Sequence, residues 1–186
     1  ERFTEMEIED ISQVANVSLA TAVMQIGNVT LYKGDKKVSA LVAAAVNFTE
    51  FQEVFLDRFR LEEGEIPQNI RNNTLVLGYK VNHPNETEPV FANPNDEVVM
   101  TIRIPTTQPP FVKAENYSFT VDGILQKTGT PGITNFDYWV FIPLDTARTI
   151  YNTTSSDLIF VKVPSPEFSE SVAEDIESLF SPYKIS

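Results

Sequence analysis

From Val17 to Ile26 the chain alternates with a period of two. Val17, Leu19, Thr21 and Val23 fall on one side, and Ala20, Ala22, Met24 and Ile26 on the other. That is the period of an extended strand, and the near absence of charge predicts cover on both faces. Gly27-Asn28 breaks the run. Val29 to Tyr32 reads as a short strand, Lys33-Gly34-Asp35-Lys36 as a hairpin turn, and Val38, Ala40, Val42, Ala44 and Val46 as one return strand. Ahead of these, Met6, Ile8 and Ile11 among many acids mark the end of a helix.

Thr49-Glu50-Phe51-Gln52 has capping-box spacing, and Phe51, Val54 and Phe55 follow on one helical face. Two turns are expected next, a charged one at Glu62-Glu63-Gly64-Glu65 and another at Asn69 to Asn73, before a strand at Thr74 to Gly78. The segment from Asn82 to Glu97 has no period and reads as an exposed loop. Val98, Met100, Ile102 and Ile104 alternate along a half-exposed strand. Pro105 to Pro110 is a stiff extended connector, and Tyr117, Phe119 and Val121 lead a strand that closes at Asp122 to Leu125. A Gly/Pro loop, Thr128 to Asn135, precedes an apolar strand, Tyr138 to Ile142, that ends at Pro143 and gives way to a helix, Leu144 to Tyr151. Asp157 to Val163 is the last strand. Ser165-Pro166-Glu167 is a helix start, Val172, Ile176, Leu179 and Phe180 form its apolar face, and Pro182 stops it. The ends are thus α/β in character and the middle is β-rich. This is an α+β protein in which a β-rich lobe, 51–151, is inserted into an α/β lobe built from 1–50 and 152–186. The insertion requires the first and last segments to share one sheet.

Composition narrows the function. The 186 residues are 42% hydrophobic and 22% charged, as in a folded chain. Fourteen basic against 26 acidic residues leave a charge of −12, and the longest basic cluster is Lys36-Lys37, so no nucleic-acid footprint exists. A polybasic lipid contact is disfavoured for the same reason. There is no cysteine, hence no disulfide, Cys-metal site or Cys nucleophile, and His83 is the one histidine. No run approaches the roughly 18 apolar residues of a membrane span. The chain opens on Glu1 rather than Met, which reads as a processed or excised piece. The pattern Asn-x-Ser/Thr begins at Asn16, Asn28, Asn47, Asn72, Asn85, Asn116 and Asn152. About two such sites would arise by chance. The excess points to exposure outside the cell, with these seven as candidate glycosylation sites. Together with the acidity it leans towards an archaeal cell surface.

Several short segments, in order, resemble the extracytoplasmic domain of MacB-type ABC transporter permeases, a family related to the FtsX permeases. They are Lys36 to Val46, Glu62-Glu63-Gly64, Leu75-Val76-Leu77-Gly78, Phe119 to Leu125, Phe141-Ile142-Pro143-Leu144-Asp145-Thr146-Ala147, and Leu158 to Val163 with the helix after it. The chain departs from the family between His83 and Glu97, where a proline-rich stretch stands in place of a helix. The matched residues are structural: Gly78 and Gly123 end strands where a side chain would crowd a turn or need positive φ, and Pro143 ends a strand and sets up a helix. The resemblance implies a porter-like lobe made by the two chain ends, with a second β-rich lobe between them. It implies a non-enzymatic domain without cofactor or metal, on the extracytoplasmic face of the cell membrane. It couples ATP-driven motion of the membrane part to substrate export or extraction. The implied partners are the membrane helices of its own permease, a cytoplasmic ATPase subunit or domain, and a second permease copy. The isolated domain is expected to be a monomer or weak dimer.

The residues also offer other chemistry. A Ser-His-Asp triad would need His83, which sits in a loop before Pro84. Glu62, Glu63 and Glu65, and Glu174, Asp175 and Glu177, offer carboxylates that could pair for glycoside hydrolysis, but solvated acidic faces explain both groups better. Asn93, Asn95, Asp96 and Glu97 offer oxygen ligands without EF-hand spacing, and Gly129-Thr130-Pro131-Gly132 lacks the lysine of a phosphate loop. Trp139 is expected to fill the core. Two other functions fit the sequence: a secreted or cell-surface ligand-binding or adhesion module, and a secreted hydrolase using the acids at Glu62 to Glu65.

Overall fold

The computed structural model describes residues 2–68, 73–132 and 134–180. In chain order the elements are α1 (Glu5–Ser12), β1 (Leu19–Ile26), β2 (Val29–Lys33), β3 (Lys36–Ala40), β4 (Val42–Val46), α2 (Phe48–Val54), β5 (Leu61–Gly64), β6 (Thr74–Leu77), α3 (Tyr79–Asn82), β7 (Glu97–Pro105), β8 (Val112–Leu125), β9 (Trp139–Pro143), α4 (Leu144–Tyr151), β10 (Leu158–Lys162) and α5 (Ser169–Leu179). All ten strands join one mixed sheet in the order β10-β1-β4-β9-β6-β8-β7-β2-β3, with β5 on β8. The β4–β9 and β6–β8 pairs are parallel and the others antiparallel. The first and last strands, β1 and β10, are neighbours, with Leu19 opposite Lys162.

One long ribbon shapes this sheet. Ile26 stands opposite Ala43 and Val29 opposite Ala40, so β1–β4 and β2–β3 are two segments of a single hairpin in one register. The inward face changes parity between them. Ala22, Met24 and Ile26 enter the main core from β1, but Val29 and Leu31 enter it from β2; on the return path Val38 and Ala40 give way to Ala43 and Ala45. The ribbon therefore turns over at Gly27-Asn28 and Leu41, and its two halves reach opposite ends of the strand order. This splits the single return strand expected from alternation. Leu41 is 60% exposed, and its N–H bonds the carbonyl of Tyr138 at 3.0 Å, outside the β2–β3 ladder.

Two apolar clusters result. The main one joins β1–β4 residues to Val98, Met100, Ile102, Phe119, Val121 and Ile142. The second lies on the other face of β1, β4, β9 and β6, where Val23, Ala44, Val46, Val76 and Phe141 meet the phenylalanines of α2 and the turn after it. Cover on both faces of β1, expected from its lack of charge, is thus realised.

Other segments differ from expectation for identifiable reasons. Helix α2 begins earlier than its capping-box spacing suggests, because the Asn47 side chain accepts the Glu50 N–H at 3.1 Å and so caps it. Leu61 to Gly64, expected as a turn, is a short strand on β8. Pro105 to Pro110 is no spacer but the end of the β7–β8 hairpin, with Pro105 opposite Val112. The 82–97 segment is not wholly exposed. Phe91 and Ala92 are buried, held by the carbonyl and side-chain oxygens of Asn82. Helix α5 follows a 3-10 turn at Pro166–Phe168, and Ser165 makes no side-chain cap bond. Pro182 and most of the Asn69–Asn73 turn lie outside the described residues.

Candidate functional site

Acid–base chemistry can be placed first. His83 is not a free loop residue: its ring stacks on Tyr79 at 4.1 Å, and Nε2 lies 3.2 Å from Glu62 Oε2. Among the described residues no Ser or Thr hydroxyl bonds it. Glu174, Asp175 and Glu177 are exposed on α5. Asp96 faces Lys33 Nζ at 2.6 Å and accepts the Asn93 N–H, and both bonds hold its carboxyl below the usual range. Glu86 is likewise lowered, by hydrogen bonds from Lys80 and Lys127. Tyr117 is pushed up to about 12, mainly by its short hydrogen bond to Glu115 and then by burial. These are ion pairs and hydrogen bonds that fix loops and strands. Among the described residues no group of three or more His, Asp or Glu is placed to hold a metal.

One buried acid was not singled out by sequence reading. Asp137 is 3% exposed, and its carboxylate accepts the Thr128 N–H, the Thr128 hydroxyl and the Gly129 N–H at 2.8, 3.1 and 3.0 Å. It ties the loop after β8 to the start of β9. The available signal was a lone acid inside the apolar run Phe136 to Phe141.

Two of the three residues matched to the family, Gly78 and Gly123, stand at close contacts. A Cβ on Gly78 would strike the carbonyls of Phe136 and Trp139; its φ is not positive, so crowding is the reason for glycine there. Gly123 does not end its strand, which runs on to Leu125. A Cβ there would meet Leu61 Cδ2 at 2.7 Å and the Glu65 carbonyl at 2.8 Å. Pro143 closes β9 and stands directly before α4.

Of the candidate glycosylation sites, Asn16, Asn28, Asn85, Asn116 and Asn152 are exposed. Asn16 and Asn152 take left-handed backbone, with φ of 67° and 48°. The Asn85 side chain accepts from the backbone and hydroxyl of Thr87, and that of Asn116 from Thr101. Asn47 is half-buried and occupied as the cap of α2. Asn72 lies outside the described residues.

Three of the clefts differ sharply in their lining. One of about 420 Å³ lies between α1, α2 and α4, where Glu5, Glu9, Glu50 and Asp145 surround Arg148. Arg148 Nη1 is 3.4 Å from Glu5 Oε1. A second, of about 450 Å³, is apolar and lies between β10 and α5, among Phe3, Ile11, Leu158, Val161, Ile176 and Phe180. A third, of about 670 Å³, opens where the ribbon turns over. Met24, Ile26, Gly27 and Asn28 line it, together with three cations, Arg2, Lys37 and Arg103. Near the second cleft the chain's entry and exit meet. Phe3 and Ser156 exchange backbone hydrogen bonds of 2.7 and 2.9 Å, and the Phe3 ring meets the edge of Phe180 at 5.9 Å. No helix among the described residues is long and apolar enough to cross a membrane.

No curated protein matches this chain. Two crystal structures share its fold. The extracellular domain of the ABC-type transporter YknZ from Gram-positive bacteria is 14% identical, with a TM-score of 0.68 over 97% of this chain and 83% of that one. The periplasmic region of MacB from Actinobacillus actinomycetemcomitans is 14% identical, with a TM-score of 0.65 over 96% of this chain and 73% of that one. The pattern of the MacB-like periplasmic core domain matches residues 1–179. The chain belongs to the MacB-like periplasmic core domain family and is the extracytoplasmic domain of a MacB-like ABC transporter permease.

Proposed function

We propose that this domain carries ATP-driven motion of the permease's membrane part to a substrate or partner outside the membrane, for export or extraction, and makes or breaks no bond itself. The observation that carries this reading is the meeting of entry and exit. Phe3 pairs with Ser156 and touches Phe180, so two membrane helices joined there would pull on one point of a continuous sheet. Close-packed interiors transmit such displacement with little loss. The cytoplasmic ATPase and a second permease copy are the partners this requires.

The division into 1–50 with 152–186 and 51–151 belongs to the same proposal. Strands β1, β4 and β10 from the chain ends lie side by side, which supports it. Strand β9 sits beside β4, and the β2–β3 hairpin reaches β7, so the border runs through the sheet rather than along a linker. Surface exposure favours glycans on Asn16, Asn28, Asn85, Asn116 and Asn152, and the cap role of Asn47 disfavours one there. Mass spectrometry of the native protein tests that pattern.

The main test uses the intact permease reconstituted with its ATPase. Spin labels at exposed Leu56 in two copies should change their separation by several ångströms when ATP is added. An unchanged separation during continued ATP hydrolysis would overturn the reading. So would saturable ATP binding to this domain in calorimetry.

A further inference from the structure

The β1–β2 path has one closed edge and one open one. On the first, β4 and β3 pair it through the turnover in a single register. On the other, the ladder with β10 stops at Val23, opposite Leu158, and the ladder with β7 resumes only at Thr30, opposite Thr101. Among the described residues, no strand pairs with the six between, Met24 to Val29, on that edge. Asp157 covers its start, where its carboxylate accepts the Gln25 N–H at 2.8 Å and its N–H bonds the Val23 carbonyl at 3.0 Å. Beyond that, a Cβ added to Gly27 would meet nothing within 4 Å. The opening is the third cleft described above.

Its charge is opposite to that of the molecule. The chain carries 26 acids against 14 bases, yet Arg2, Lys37 and Arg103 line this cleft with Asp157 as the one acid. Asp157 is already paired with Arg2 at 3.5 Å, and Lys37 lies over the Tyr32 ring at 5.9 Å. Arg103 is exposed on β7. Tyr151 stands at the Arg2 end, and burial, its largest influence, raises its phenol pKa, so it remains a hydrogen-bond donor.

We propose that this cleft binds an extended acidic peptide segment, laid as an added strand along the edge left open beyond Asp157, from Ile26 to Val29, with its carboxylates against Arg2, Lys37 and Arg103. An unpaired strand edge supplies backbone hydrogen bonds to any extended chain, and flanking pockets select the side chains. Here the flanking groups are cations, so they select acids. Four residues of strand span roughly 13 Å, enough to seat the middle of a short peptide. Asn28 opens onto the same cleft, so a glycan there would compete for the space. The inference does not rest on the transport reading, and its test needs no membrane.

The probe is a fluorescein-labelled peptide of three Glu-Val repeats, titrated with the chain made without glycans, by anisotropy. At about 150 mM salt the Debye length is near 8 Å, so remote acids are screened while contacts in the cleft persist. Saturable binding is expected. It should weaken about tenfold in R103E, whose thermal melt should stay at the wild-type value, and vanish for a Lys-Val peptide. A version with N-methylated valines, which cannot donate to the strand edge, should also lose most of its affinity. No saturable binding, equal binding of the Lys-Val peptide, or unchanged binding by R103E would overturn the site. Equal binding of the N-methylated peptide would overturn strand addition.

Discussion

Helices α2 and α5 look alike in sequence, each with an apolar face and acids opposite, yet the fold uses them differently. Both Phe48 and Phe51 of the seven-residue α2 are fully buried. Phe51 alone meets the rings of Phe55, Phe59, Phe136, Phe141 and Phe160 at 4.8 to 6.1 Å. The 11-residue α5 buries only Val172, and Leu179 beside it and Phe180 are 48% and 37% exposed. The difference lies in what each helix faces. Under α2 is a floor of aromatic side chains from the middle of the sheet; under α5 is the edge strand β10, with an apolar cleft left between them. An amphipathic pattern states which face is apolar, not how much surface awaits it. In the mechanical reading the contrast is useful: α2 holds the sheet together, and α5 is the part through which a pull would enter.

The largest effect should come from Phe51→Ala. Removing a fully buried ring that five others touch should cost about 3–5 kcal/mol. For a chain of this size that lowers the melting temperature by roughly 10 °C. Differential scanning calorimetry measures it, and a loss under about 1 kcal/mol would mean that the aromatic cluster is looser than its packing suggests.

The caps give a second, smaller contrast. Asn47 accepts the Glu50 N–H, whereas Ser165 makes no side-chain cap bond. Asn47→Ala should therefore cost about 1 kcal/mol, and Ser165→Ala close to nothing. Urea unfolding of the two variants side by side checks the pair. Equal losses would place both helix starts on the same footing.

Most elements of this fold were legible in the sequence because they rest on local rules. The alternation at β1, the Gly34 hairpin, the Pro143 junction into α4 and the helix from Leu144 to Tyr151 all follow from periodicity and turn chemistry. What was not legible depends on distant parts of the chain. Nothing local at Leu41 announces that Val38 and Ala40 belong with one inward parity and Ala43 and Ala45 with the other. That switch is dictated by a ribbon that must line both ends of one core. Strand β5 was hidden because Glu62, Glu63 and Gly64 have little strand propensity and are held by β8. The basic cleft was hidden because Arg2, Lys37 and Arg103 come from three separate segments that meet only in the fold.

A pH effect belongs to the β2–β7 region, where Asp96 faces Lys33. Asp96 has a lowered folded pKa, first because of Lys33 and then because of the Asn93 N–H. The stability it adds is present above the ordinary aspartate value near 4 and is lost as pH falls through the lowered one. Both side chains are about a third exposed, so the effect should stay below about 1 kcal/mol. Unfolding curves of the wild type and Asp96→Asn should differ at neutral pH and draw together as pH falls below the ordinary aspartate range. Curves that stay parallel below that range would remove the ion pair from the account of stability.

The smallest expected change is at the end of α5. Phe180→Ser deletes a ring that meets Phe3 edge-on and is already 37% exposed. Global stability should fall by less than about 1 kcal/mol, since little buried apolar area is lost. The local consequence should be larger than the global one. Amides of α5 should exchange with deuterium well before those of β4 and β9, because a helix with one buried side chain can open without unfolding the sheet. Phe180→Ser should speed that opening further and leave the strand amides unchanged. If α5 and β4 instead exchange together, the helix belongs to the same cooperative unit as the aromatic core. The contrast with α2 then fails, and a pull on the chain's end would have to move the whole domain at once.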